Sequence, residues 1–494
     1  MPSETVSVLT KPEAHDDHTH GQNRFAVIPT PVRLGADSPH TGRGVCVAFL
    51  DSGFYPHPDL IEPVNRIVSF VDVTGEETAL DAGRPPQPWH WHGTQTTVAA
   101  AGNGRLSDGV YRGLAPHAEL ALVKVSREGS ITEEAIARGI EWVIENRERL
   151  RIRVLNISLG GDEDVPCSQS VIDQAAERAV SEGIVVVVAA GNSGDSARPH
   201  SIPPANSPSV ITVGGYDDGN ELGIDNLGLY HSNFGPTADG TVKPEVVGPA
   251  VWVAAPVLPG TPLYKSAALL SRMASSPDYE LRGLLYRHWR EADLPESVLD
   301  EELGAAREII ESRLRQERIV AAHYQHVDGT SFAAPVVSSI VARMIEANPR
   351  LTPAAVRHIL ISTADRVAGA PLMRQGYGAV NARRAVAEAG RERHGLDPRG
   401  YGPPRMEMGA ALFFYHDDAA RAVAVAGDFN GWDVTRSPLV KGTNGVWRIG
   451  VAGLTAGRYR YKFVIDGARW VDDSANGLKE QDNFGGFNSL LYVA

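Results

Sequence analysis

The chain has 494 residues, 43% of them hydrophobic and 22% charged, with 47 Lys and Arg against 60 Asp and Glu for a formal net charge of -13. That length suits two or three domains with sizeable cores, and the acidity argues against nucleic acid or an anionic membrane as main partner. No run of about 18 apolar residues suggests a spanning helix, and two cysteines, Cys46 and Cys167, cannot build a disulfide framework.

Residues 1–29 read as a polar tail. It has no basic segment followed by an apolar one, so no Sec-type signal is expected and the expected location is the cytoplasm. Its "HDDHTH" cluster carries ligand-type side chains without periodic structure to hold them, and reads as solvated tail rather than a metal site.

From 30 to 390 short apolar runs alternate with helical segments. "GVCVAFLD", "ELALVKV", "RVLNISLG", "GIVVVVAAGN" and "SVITVGG" are continuous runs bounded by Gly or Asn, as expected of strands buried on both faces. "TEEAIARGIEWVIENRERL" and "SVIDQAAERAVSEG" between them have helical spacing. Alternating strand and helix predicts an α/β domain with a parallel sheet and right-handed crossovers. Within it, residues 258–322 are amphipathic, highly charged and wholly helical in pattern, and read as an insertion. Residues 391–406 are rich in Gly, Pro and charge and read as a linker. Over 407–494 the texture turns to strand alternation, with a "TNG" hairpin signal between "PLVK" and "VWRIGV", which predicts a small all-β sandwich.

Three polar residues stand where such a sheet presents chemistry. Asp51 follows directly on the run "VCVAFL", and His92 lies in "WHWHGTQTTVAAAGNG" at the start of a small-residue helix. Ser331 lies in "HVDGTSFAAPVVSSIVARMI", where taken alone it reads as the polar residue that starts a buried helix rather than as a nucleophile. A hydroxyl nucleophile needs a base within reach, and the base needs a carboxylate to fix its tautomer.

In the order "DSG", "HGT", "GTSFAAP", these segments resemble the subtilisin-like serine proteases, and Asp51, His92 and Ser331 match that family's triad in order and local motif. "VVVVAAGNSG" places Asn192 where the family has its oxyanion-hole asparagine. Ser158, Leu159 and Gly160 in "NISLGG" resemble the edge that pairs with an extended substrate, and Arg127, Glu128 and Gly129 the opposite wall of the cleft. "GYGAVNARRAV" resembles the end of the catalytic domain, and "YRGLAPHAELALVKV" and "SNFGPTADGTVKPEVV" look most like the intracellular alkaline subtilases of bacteria. The resemblance implies an endopeptidase with an open pocket for apolar or aromatic side chains. Transfer of the same acyl-enzyme to an amine, as in a transpeptidase or macrocyclase, and a silent scaffold are the alternatives.

The chain departs from the family in two places. Only about 40 residues precede the catalytic frame, which puts control by a folding propeptide in doubt and makes a separate inhibitor an expected partner beside the polypeptide substrate. The loop "GNGRLSDGVYRG" lacks the family's calcium-loop sequence, so no metal is assigned and no cofactor is expected. The insertion runs into "HVDGTS" and reads either as a lid or exosite beside the nucleophile or as a surface elaboration with its own core.

"VAGDFNGWD", "YRYKFVIDGARW" and "NFGGFNSLLYV" resemble the glycogen-binding sandwich of AMP-activated kinase β subunits and glycogen-branching enzymes. Sugar rings stack on indole through their C–H faces, while their hydroxyls need amide and ammonium partners. The resemblance implies an α-glucan held by Trp432, Trp470, Lys462 and Asn488, with Phe484 as an apolar loop residue. An interaction module whose tryptophans cover its own edge is the alternative.

Overall fold

The computed structural model describes residues 27–161, 165–196, 200–392, 403–407, 409–417, 419–442, 445–476, 478–482 and 484–493. The "HDDHTH" tail, most of the 391–406 linker and the Thr-Asn of the "TNG" turn lie outside the described residues.

Seven parallel strands form the central sheet: β1 (Cys46–Asp51), β2 (Ile67–Asp72), β3 (Glu119–Lys124), β4 (Ile152–Ile157), β5 (Val185–Ala189), β6 (Ile211–Asp217) and β7 (Val246–Pro249). Their order is β7-β6-β5-β4-β1-β3-β2, with a short antiparallel strand beside β6. The two faces of β1 explain why the strands are apolar without alternation. Val47 and Phe49 enter one core, while Cys46, Ala48 and Leu50 enter another, so every side chain is buried. Sequence pattern alone misses β2, a half-buried edge strand, and β7, four residues that end at a proline.

Helices α1 (His90–Ala101), α2 (Glu133–Leu150) and α3 (Val171–Ser181) connect the strands. The insertion supplies α4 (Pro262–Ser275), α5 (Asp278–His288) and α6 (Leu303–Gln316), and α7 (Thr330–Ala347), α8 (Pro353–Thr363) and α9 (Ala382–Arg391) complete the domain. Thr132 and Ser170 cap α2 and α3 by accepting backbone N–H bonds with their hydroxyls.

The insertion has an apolar core of its own, with Leu270, Met273, Leu281, Leu285 and Ile310 fully buried. It joins the frame through an antiparallel sheet in which Tyr324–Val327 pairs with Val253–Pro256 on one side and Ile319–Ala321 on the other. The strand Ile319–Ala321 falls inside the segment that reads as wholly helical, because its pairing is non-local and leaves no periodic trace in so few residues. Tyr324, fully buried, donates its hydroxyl to the equally buried Asp59 at 2.7 Å, which ties the return from the insertion to the segment that follows β1.

The C-terminal module is two packed antiparallel sheets. One holds Arg405–Glu407, Ala410–His416, Val446–Ala452 and Val440–Lys441, and the other Val423–Gly427, Gly457–Ile465, Phe487–Val493, Lys479–Gln481 and Arg469–Val471. Phe413, Val425, Tyr461 and Phe463 fill the space between them. The module touches the α/β domain through the Tyr377 hydroxyl, 3.3 Å from Asn476 Oδ1.

Candidate active site

Residues from three adjacent strands converge at the C-terminal edge of the sheet, where open α/β sheets bind ligands. Asp51 ends β1, Ser158 follows β4, and Asn192 lies three residues beyond β5. His92 stands in the first turn of α1 and Ser331 in the first turn of α7, and these two helices pack on each other.

Asp51 is 1% exposed and its carboxylate is crowded with donors. His92 Nδ1 lies 2.8 and 3.0 Å from its two oxygens, the Ser52 N–H donates at 2.7 Å, and the Ser52 and Thr96 hydroxyls donate at 3.2 and 3.3 Å. The bond to Asp51 places the His92 proton on Nδ1 and turns Nε2 away from the carboxylate. Burial alone would disfavour the imidazolium, but the Asp51 charge and hydrogen bond outweigh it and raise the His92 pKa above its ordinary value. Gly93 is needed for this approach, since a Cβ there would lie 2.8 Å from the Asp51 Cβ and collide with the Gly53 carbonyl.

Gly329 adopts φ 128°, which favours glycine, and its N–H donates to the Ala250 carbonyl at 2.7 Å as the chain enters α7. Pro335 lies inside that helix. Lacking an N–H, it cannot bond the carbonyl four residues back, which is that of Ser331. The Ser158 hydroxyl donates to that carbonyl instead at 2.9 Å, and the Ser331 hydroxyl donates to the Ser158 carbonyl at 3.3 Å. Asn156 extends the link, donating to the Ser158 hydroxyl at 3.0 Å and accepting from Ser338 at 2.9 Å.

Thr330 orients Asn192. Its N–H and its hydroxyl both donate to Asn192 Oδ1, at 3.0 and 2.9 Å, and its hydroxyl accepts the Gly191 N–H at 3.1 Å. With the amide oxygen committed, Nδ2 faces the other way, on the side of the exposed residue open to a ligand. The Ser331 N–H is one of the first-turn donors that α7 leaves unpaired, so it and Asn192 Nδ2 can serve one anion. Sequence reasoning missed Thr330, although it lies inside the "GTS" motif.

The cleft residues fall on both sides of the β1 end. Ser158, Leu159 and Gly160 leave β4, with Leu159 packed on the core. Arg127, Glu128 and Gly129 form the tip of a tight hairpin beyond β3, with φ 49° and 85° at the last two. The gap between the two segments lies over Asp51. Buried Lys124, paired with Asp51 in the sheet register, braces the hairpin side. Its ammonium donates to Asp72, Glu76 and the Ser126 carbonyl at 2.7–2.8 Å, and Glu76 also accepts the Glu128 N–H at 3.3 Å. His90, the neighbouring histidine, pairs with Glu77 and stays out of the site.

The loop after α1 packs near Asp59. Near it, both Asp59 oxygens accept hydrogen bonds, from the Leu106 N–H at 3.2 Å and the Tyr324 hydroxyl at 2.7 Å, so donors surround the carboxylate. Among the described residues no group of three or more His, Cys, Asp or Glu is arranged to hold a metal.

In the sandwich, Tyr461, Phe463 and Ile465 point into the core, so Lys462 and Val464 lie on the opposite face of the same strand, where Val464 is covered. Trp470 pairs with Val464, and continuing the register from Tyr461 and Ser489 sets Asn488 across from Lys462. Trp432, held by its indole N–H on Asp428 at 3.0 Å, lies with its ring centroid 6.3 Å from that of Trp470. The four predicted residues therefore share one outer face. Lys462 is ion-paired with Asp482, and Phe484 is 95% exposed beside them.

An α/β sheet with a helix-borne serine, an Asp-paired histidine and two converging anion donors is the framework of a serine hydrolase. The Subtilase family model matches residues 42–378, and the model of carbohydrate-binding module 48 (isoamylase N-terminal domain) matches 400–480. The chain is 33% identical over 354 residues to serine protease AprX of Bacillus subtilis (strain 168), covering 70% of this chain and 67% of that protein. It is 40% identical over 221 residues to subtilisin E of the same strain, covering 44% of this chain and only about half, 52%, of that protein. The solved protease domain of PatA aligns with TM-score 0.47 at 19% identity, over 72% of this chain and 98% of that one. The chain belongs to the subtilase family of serine endopeptidases and carries a C-terminal module of the carbohydrate-binding type.

Replacing Ser158 by Ala leaves the half-buried Ser331 carbonyl without its donor. Ser158→Ala is expected to lower unfolding free energy by about 1–3 kcal/mol in urea titrations; an unchanged midpoint and slope would show that water replaces the hydroxyl without loss.

Proposed function

We propose that the chain hydrolyses internal peptide bonds of extended polypeptides through an acyl-enzyme on Ser331. His92 Nε2 takes the hydroxyl proton as Oγ bonds the scissile carbonyl carbon, and Asp51 holds the imidazole and stabilises its charge. Asn192 Nδ2, the Ser331 N–H and the positive end of α7 stabilise the oxyanion. His92 returns the proton to the departing amine as the C–N bond breaks, and water then releases the acid by the same steps. The observation that carries this reading is the Asp51–His92 pair at the start of one helix and, on the helix packed against it, a serine whose neighbour, Thr330, holds the Asn192 oxygen. Substrate backbone pairs with Ser158–Gly160, and the Arg127–Gly129 tip bounds the far side. The proposed compartment is the cytoplasm, supported by two cysteines that remain free thiols, each pushed up to about 12, chiefly by burial.

The sandwich, we infer, holds the peptidase on α-glucan. The reading is supported by Trp432, Trp470, Lys462 and Asn488 on one outward face, with two indoles side by side for adjacent rings.

A fluorophosphonate probe should label the wild-type chain stoichiometrically and leave Ser331→Ala unlabelled by intact mass; a folded wild type that refuses the probe would overturn the nucleophile assignment. Because the base must be neutral, kcat/KM should rise with pH through a pKa above that of ordinary histidine and fall away in acid. Asp51→Asn should shift that limb to lower pH and cut kcat about 10⁴-fold; an unshifted limb would assign it to another group. In native gels containing glycogen, Trp432→Ala and Trp470→Ala should migrate faster than the retarded wild type. Equal retardation of all three would remove the glucan reading.

A further inference from the structure

Thr330 fixes the Asn192 side chain, but a side chain is only as steady as the backbone that bears it, and Asn192 stands exposed in the loop beyond β5. One segment, residues 230–233, holds that backbone. It follows the short strand Gly228–Leu229 beside β6, and its alternate residues divide the work. Tyr230 and Ser232 anchor the segment to β6: the Tyr230 N–H donates to the Gly215 carbonyl at 3.0 Å, and the Ser232 hydroxyl accepts the Gly215 N–H at 2.6 Å.

His231 and Asn233 grip the loop, and both close on one peptide unit. The Asn192 carbonyl lies 2.7 Å from His231 Nδ1, and the Ser193 N–H of the same unit donates to Asn233 Oδ1 at 2.6 Å. Around it, the Asn233 N–H donates to the Gly191 carbonyl at 3.0 Å and its amide to the His200 carbonyl at 2.7 Å, while the Gly194 N–H donates to the His231 carbonyl at 2.8 Å. A carbonyl only accepts, so His231 Nδ1 carries the proton. The imidazole lies against the Tyr230 ring, with 4.0 Å between centroids, and Tyr230 packs on the apolar core of the sheet. Ring plane and donor are both set.

We propose that His231 is a positioning residue for the oxyanion, holding the main chain of Asn192 while Thr330 holds its side chain. The inference rests on the endopeptidase reading above and adds a residue to it. The two restraints act on different atoms, Thr330 on Oδ1 and His231 on the backbone carbonyl. With both ends of the residue fixed, Nδ2 keeps its place when charge develops on the substrate oxygen. Removing one oxyanion donor costs about 10²–10³ in kcat, and displacing a catalytic group by about 1 Å costs up to about 100-fold. A phenyl ring at 231 would keep the face against Tyr230 but leave the Asn192 carbonyl without its donor.

The test is a double-substitution cycle on the full chain, read with two acylated tetrapeptide 4-nitroanilides, one ending in Ala and one in Phe. His231→Phe should lower kcat about tenfold and leave KM within about twofold. In an Asn192→Ala background no donor remains to be aimed, and the same substitution should change kcat by less than about twofold. His231→Asn, whose amide N–H stands where the imidazole Nδ1–H does, should recover most of the loss. If His231→Phe does not fold, His231→Ala carries the same comparison. An equal loss in both backgrounds, as general damage would give, or no loss in either, would overturn the role of His231 and leave the endopeptidase reading standing. A wild type that cleaves neither substrate beyond the level of Ser331→Ala would sink that reading and this inference with it.

Discussion

The carbonyl of Ser331 is the constraint on which the site turns. A proline four residues further along α7 removes its intrahelical donor, and a half-buried carbonyl left unpaired costs stability. The hydroxyl of Ser158 supplies the bond from a segment 173 residues away in the chain. The helix that carries the serine and the segment that pairs with substrate are thereby one unit, and the Asn156–Ser338 bond repeats the link deeper in the core. Acyl chemistry needs the nucleophile and the substrate carbonyl positioned to a fraction of an ångström. Tying both to one hydrogen-bonded seam achieves that without relying on loops.

The same economy governs the polar groups around the seam. Thr330 commits the oxygen of Asn192 so that its N–H₂ is the end presented, and Ser52 and Thr96 fill the Asp51 positions that His92 leaves. Thr330 comes from the first turn of a helix and Ser52 is the residue after a strand, while Thr96 reaches Asp51 from the second turn of α1. The first two positions have free backbone donors and defined direction. Lys124 does comparable work one strand away, where three acidic side chains and a carbonyl gather around its buried ammonium and fix the hairpin wall.

The two elaborations are attached differently from the frame's own elements. The insertion and the sandwich each close an apolar core without help from the sheet, so each answers to its own packing. The insertion joins the frame through the sheet of Val253–Pro256 and Tyr324–Val327, and each elaboration adds a polar contact to it, Tyr324 on Asp59 and Tyr377 on Asn476. Tyr324 lies seven residues before Ser331, so the insertion ends where its strand also sets the approach to the nucleophile. The tryptophan face of the sandwich and the Tyr377 contact belong to one β-layer, since Asn476 donates to the Tyr461 hydroxyl and the Leu490 carbonyl of that sheet.

Much of this was legible in the sequence, and the residues show why. Continuous apolar runs such as "GVCVAFLD" declare a doubly covered strand because both faces are buried, and "DSG", "HGT" and "GTSFAAP" announce their residues because each bears local backbone demands: a strand end, a glycine that admits Asp51, a glycine with positive φ. The sandwich strands declared themselves by alternation. What the chain could not show locally were the bonds between distant segments. Ser158 to Ser331, Thr330 to Asn192, Asn233 to His200 and Tyr324 to Asp59 join residues from 33 to 265 positions apart, and the strand Ile319–Ala321 exists only because a partner lies beside it. Local sequence determined which elements form and which side chains could do chemistry, since propensity, periodicity and turn geometry act over a few residues. Only the tertiary structure decided how those side chains are aimed, because direction is set by neighbours that the chain brings together through packing alone.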